Sequence, residues 1–147
     1  MGMQTMKTAF DTNVLIYFFE EIEPQASKTE KILNSIIKGK CQGIISTITI
    51  AEVLTGFYLA GNAEKAAKSK RLLNDWTLNG FKIVPVTFEI ADLAAYMQAK
   101  NGGRLPDALI VATALNQKAD CIYSQDKDLQ RFNTDIKINE LPQEEDS

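Results

Sequence analysis

The sequence predicts an α/β protein: a single domain with a mostly parallel central sheet flanked by helices on both faces. Three observations lead there. Short strand-like apolar runs alternate with longer stretches of helical periodicity along the chain, as βαβ units require. No repeat and no Gly/Pro/Ser-rich linker divides it. And 147 residues, 45% hydrophobic and 24% charged, suit one soluble domain that buries its core without staples. The expected domain runs over residues 7–139, with 1–6 and 140–147 as flexible ends. From Glu140 on, the chain reads as a solvated tail.

Each element has its own signal. Thr8-Ala9-Phe10 reads as a first strand ending at Asp11, and Val14, Leu15, Phe18 and Phe19 form the i, i+4 stripe of a helix beginning at Thr12. Pro24 opens a second helix with Ile32, Leu33, Ile36 and Ile37 on one face, and Gly39 ends it. Gly43-Ile44-Ile45 is the next strand. A helix from Thr47 carries Ile50, Val53, Leu54 and Phe57, and another over 62–78 turns Leu72, Leu73 and Trp76 inward. Residues 81–86 form a strand broken by Pro85, followed by a helix over 88–98. Gly102-Gly103 is a break. Pro106-Asp107 then starts a helix so apolar over 108–112 that deep burial is expected. Cys121-Ile122-Tyr123, a short helix over 127–132 and Ile136-Lys137-Ile138 complete the pattern.

Composition narrows the chemistry. The chain has no histidine, which removes Ser-His-Asp and Cys-His catalysis, His-ligated zinc and an imidazole base. Cys41 and Cys121 stand far apart beside strands and read as small buried hydrophobes in a reducing compartment. The first residues carry no signal-peptide-like apolar stretch, and the longest apolar run, residues 14–19, is too short to span a membrane. A cytoplasmic protein is expected. A net charge of −3 argues against a protein that simply coats nucleic acid.

Four acids stand in special places. Asp11, Glu52 and Asp126 follow strand-like runs, and Asp107 opens the apolar helix. Each has a purely structural explanation. Asp11 and Asp126 can cap helices, Thr49-Ile50-Ala51-Glu52 fits a capping box, and Asp107 suits a first helical turn. Yet caps need not converge. The carboxyl ends of parallel strands are where such sheets bind ligands, and carboxylates gathered there form a hard oxygen site for Mg²⁺ or Mn²⁺.

The same residues carry a resemblance. Phe10-Asp11-Thr12-Asn13-Val14-Leu15-Ile16 resembles the opening motif of PIN-domain nucleases. Ser46-Thr47-Ile48-Thr49-Ile50-Ala51-Glu52-Val53 is similar to their second acidic motif, and Leu105-Pro106-Asp107-Ala108-Leu109-Ile110-Val111-Ala112-Thr113-Ala114 to the third. Tyr123-Ser124-Gln125-Asp126-Lys127-Asp128 resembles the fourth, with Ser124 where threonine is more usual. The four motifs cover nearly the whole chain in the family's order. The compact size resembles VapC-like toxins of toxin–antitoxin pairs.

The resemblance implies a metal-dependent endoribonuclease. Asp11, Asp107 and Asp126 would hold Mg²⁺ or Mn²⁺ directly or through water, while Glu52 would hold water at the ion or help deprotonate the nucleophile. Asn13 and Ser124 would orient carboxylates, and Thr12 would do the same, contact phosphate or cap its helix. For the RNA substrate, Arg104 and Lys100, flanking the Gly-Gly break, are the preferred cationic contacts. Lys65, Lys68 and Arg71 on one helix face also read as a solvated surface. The toxin likeness further implies a homodimer and a cognate antitoxin. Two rival readings are a non-catalytic PIN-like RNA-binding or scaffold module, and an aspartate-based phosphotransfer domain. The latter lacks the second aspartate it would need after Asp11.

Overall fold

A computed structural model describes residues 5–143; residues 1–4 and 144–147, part of the expected flexible ends, lie outside the described residues. The elements run β1 (Lys7–Phe10), α1 (Thr12–Phe19), α2 (Gln25–Ile37), β2 (Gln42–Ser46), α3 (Thr47–Leu59), α4 (Ala63–Trp76), β3 (Phe81–Val84), α5 (Phe88–Asn101), α6 (Leu105–Asn116), β4 (Cys121–Tyr123), a 3₁₀ helix (Lys127–Phe132) and β5 (Lys137–Asn139). The strands form one sheet in the order β3-β2-β1-β4-β5. Every pairing is parallel, so the expected architecture is present in its purest form.

Strand alternation divides the core between the two faces. Ala9 pairs with both Ile44 and Ile122, and this row packs against Ile90, Ala94 and Met97 of α5 and Ala108, Val111 and Ala112 of α6. Phe10, Ile45 and Phe81 point the other way, onto Val14, Leu33, Val53, Phe57 and Trp76 of α1 to α4. One face therefore holds two helices and the 3₁₀ turn, the other holds four helices. Gly43 in β2 lies under Phe81: a β-carbon there would stand 2.5 Å from Phe81 Cδ2.

The chain moves outward from β1 through β2 to β3, then returns to lay β4 and β5 on the other side of β1. The order reverses between β1 and β4, and that gap is the switch point where such sheets bind ligands.

Boundaries shift for local reasons. The last strand begins one residue late, because Ile136 is buried and its N–H bonds to Phe132 O instead of the sheet. Ile37, expected inward, is 43% exposed since Leu33 and Ile36 already fill that stripe of α2. The expectation of a solvated tail from Glu140 fails at Leu141. That residue is 3% exposed, packs in the α1–α4 half of the core, and donates its N–H to Gln125 Oε1 at 2.6 Å.

Candidate carboxylate cleft

Asp11 sits at the switch point. It ends β1, donates its own N–H to Tyr123 O of β4 (2.9 Å), and caps α1 by accepting Thr12 N–H at 2.8 Å. Its second oxygen, Oδ2, accepts from Ser124 Oγ at 2.7 Å and from Asn13 Nδ2 at 3.3 Å. The amide of Asn13 is fixed in turn because its Oδ1 accepts Gln125 N–H at 3.2 Å. Ser124 Oγ also accepts Asp126 N–H at 3.0 Å. One oxygen of Asp11 thus caps the helix while the carboxylate faces the cleft, so the cap leaves room for a second role.

Glu52 corrects the sequence reading. The capping box weighed as the alternative explanation of Glu52 does not form, because α3 begins at Thr47, as expected, with Ser46 accepting Ile48 N–H as its cap. Glu52 lies on the second turn of α3, not at the end of a strand. Its Oε1 accepts Thr12 Oγ1 at 2.6 Å. Thr12 Oγ1 also lies 3.2 Å from Thr49 Oγ1. With its single proton committed to the carboxylate, Thr12 is left to accept from Thr49. Thr49 has no solvent exposure, and the sequence reading gave it no role of its own beside Glu52. A polar residue on the inward side of an otherwise apolar helix was the signal available.

Asp107 lies in the first turn of α6, 6% exposed. Arg104 Nη2 stands 3.5 Å from its Oδ1. Asp126 is half-buried and its Oδ1 accepts Asp128 N–H at 2.9 Å; Asp128 takes part through that backbone group alone. All four acids, with Thr12, Asn13 and Arg104, line one open cleft of about 500 Å³.

The basic candidates separate. Arg104 is on the lip of this cleft. Lys100 is not among its lining residues; Nζ pairs with Asp135 Oδ1 at 3.0 Å. Lys65 and Lys68 face a different hollow, between α4 and the α1–α2 pair, floored by Phe18 and Phe19.

Electrostatics bear on what the cleft can hold. Burial pushes Asp11 up to about 6, against the lowering effect of Ser124 and Thr12 and with a further push from Asp107 and Asp126. Asp107 is also raised, by burial first, opposed by Arg104 and reinforced by Asp126 and Glu52. The acids therefore feel one another, and their mutual repulsion is what a cation relieves. Among the described residues, no three acidic or cysteine side chains are gathered tightly enough to hold an ion alone. Mg²⁺ does not need such a cage. It keeps several waters and takes one or two carboxylates plus substrate phosphate. With carboxylates as the anionic donors and no thiol among the lining groups, the cleft fits a hard divalent ion.

Fold and cleft together define a parallel α/β protein with an acidic site at its switch point. The PIN-domain family model matches residues 9–134, and the chain belongs to the PIN-domain family. No curated protein sequence matches the chain. Solved structures do. A toxin–antitoxin complex from Klebsiella pneumoniae aligns at 23% identity and TM-score 0.68 over 90% of this chain and 95% of that one. VapBC2 from Rickettsia felis, bound to a DNA fragment from the promoter, aligns at 15% identity and TM-score 0.72 over 93% and 100%. Mycobacterium tuberculosis VapC20, a Sarcin-Ricin loop cleaving toxin, aligns at 13% identity and TM-score 0.68 over 84% and 92%. At these identities the likeness establishes the shared fold.

Proposed function

We propose that the protein is a Mg²⁺- or Mn²⁺-dependent endoribonuclease and the toxin of a toxin–antitoxin pair. One observation carries the chemistry. Four acids from four separate segments line a single cleft at the switch point of a PIN-family fold. The toxin role is supported by the fold shared with a Klebsiella toxin–antitoxin complex. On this reading the protein acts in the cytoplasm as a homodimer, restrained by a cognate antitoxin. No helix among the described residues is long and apolar enough to cross a membrane.

A divalent cation held by Asp11, Asp107 and Asp126 would neutralise charge on the scissile phosphate and acidify a water in its shell. The remaining work falls to the chain itself. Ser124 and Asn13 hold the Asp11 carboxylate in one orientation. Thr12 engages Glu52 Oε1, leaving Oε2 to accept a proton from the attacking water. Arg104, on an exposed turn beside the site, supplies positive charge to the RNA backbone.

The test is incubation with mixed structured RNAs in Mg²⁺ or Mn²⁺, beside EDTA and Asp11→Asn controls. Cleavage that disappears in both controls is the expected result. Activity that survives EDTA, or is undiminished in Asp11→Asn, would remove the assignment.

A further inference from the structure

Ser124, Gln125 and Asp126 form the loop between β4 and the 3₁₀ helix, and each serves the cleft. Ser124 Oγ donates to Asp11, Gln125 N–H donates to Asn13, and Asp126 is itself a lining acid. A loop outside the helices and strands stays in place through bonds to its surroundings. Two of those bonds come from the last residue of β5 and from the chain just beyond it. Ser124 N–H donates to Asn139 O at 2.9 Å, and Gln125 Oε1 accepts Leu141 N–H at 2.6 Å.

Glu140 and Pro142 are exposed, whereas Leu141 is buried among Phe10, Val14 and their neighbours. One apolar side chain and one short hydrogen bond therefore fasten this segment across the back of the 124–126 loop. If the loop moves outward, Asp11 Oδ2 loses the Ser124 hydroxyl, and the Asn13 amide that also donates to it loses its anchor. The two effects share one cause.

We infer that Gln125, through its side-chain bond to the Leu141 backbone, is a positioning residue for Asp11 and Asp126, and that residues 140–142 act as a strap holding the acidic cleft in shape. The inference rests on reading the cleft as a cation site and adds to it a control point outside the cleft.

Gln125→Met keeps the length and neutrality of the side chain but removes the acceptor. Met97→Ala, in the opposite half of the core, serves as a control for lost stability alone. Mn²⁺ binding is measured by calorimetry on the full chain without RNA, together with amide exchange. Gln125→Met should bind Mn²⁺ about tenfold more weakly, the low end for groups behind the ligands, with faster exchange at Gln125 and Asp126. Met97→Ala should melt earlier and bind as the wild type does. Gln125→Glu, which keeps an acceptor for Leu141, should bind at least as tightly as the wild type. Wild-type affinity in Gln125→Met, equal weakening in Met97→Ala, or weakened binding in Gln125→Glu would each overturn the strap. Absence of Mn²⁺ binding in the wild type would instead overturn the cation-site reading beneath it.

Discussion

Ser124 Oγ donates to Asp11 Oδ2 at 2.7 Å, joining residues 113 positions apart across the gap between β1 and β4. The serine is 1% exposed and also accepts the Asp126 N–H, so one hydroxyl orders two acids. Ser124→Ala should therefore weaken Mn²⁺ binding by about 10- to 100-fold, the range for groups that orient ligands. Ser124→Thr keeps the hydroxyl and should stay close to wild type. Comparing the two by calorimetry isolates the hydroxyl; equal affinities in Ala and Thr would discard its role.

Asp11 predicts an unusual pH dependence. Its folded pKa, about 6, lies above the ordinary value of 3.8. Between those values the folded chain binds more protons than the unfolded one, so metal-free stability should fall as pH rises through that window. Above it, the ionised carboxylate carries a penalty on the order of 3 kcal/mol. Asp107, shifted the same way, adds to the slope. Urea unfolding at pH 5 and pH 7.5 should show the loss, and Asp11→Asn should flatten it. Saturating Mg²⁺ should restore stability at pH 7.5 far more than at pH 5, by about 2.7 kcal/mol at a hundred times its Kd. A metal-free profile level across this range would contradict the burial-driven shift.

Arg104 separates substrate binding from stability. Its side chain is 71% exposed and its contact with Asp107 is long, so the pair adds at most about 1 kcal/mol to folding. Arg104→Gln should leave the melting temperature nearly unchanged. In an Asp11→Asn background it should weaken RNA binding across sequences and lower the salt slope by about one phosphate contact. Anisotropy titrations over a salt series measure both. An unaltered slope would take Arg104 off the RNA path.

The helices and strands were legible because their patterns are strong. The continuous apolar run after Pro106 foretold the buried α6, and the strand-to-acid transition at Asp11 foretold the site's location. What stayed hidden depends on partners distant in sequence. Nothing near Glu52 indicates that Thr12 would hold it, since that bond spans 40 positions, and the local spacing also fitted a capping box that the helix start at Thr47 rules out. Lys100 stood close to Asp107 in sequence, yet the turn at Gly102 and Gly103, both at positive φ, separates them, and Asp135 takes the lysine. At φ +90° Gly103 holds a conformation that residues with a β-carbon rarely adopt, a backbone constraint no pattern of hydropathy reveals. Leu141 was read as tail because its neighbours are polar; a single buried leucine has no periodicity.

The sheet's division of the core has an optical consequence. The chain has one tryptophan, and Trp76 is buried on the four-helix face, stacked 4.7 Å from Phe81 and 5.6 Å from Phe19. Its fluorescence therefore reports that face directly, while the far-ultraviolet circular dichroism sums the helices of both faces. Superimposed melting curves from the two signals would mean that both faces give way as one cooperative unit. An emission change that runs ahead of the dichroism would mark the packing around Trp76, in the half of the core that also holds Leu141, as loosening before the helices unwind.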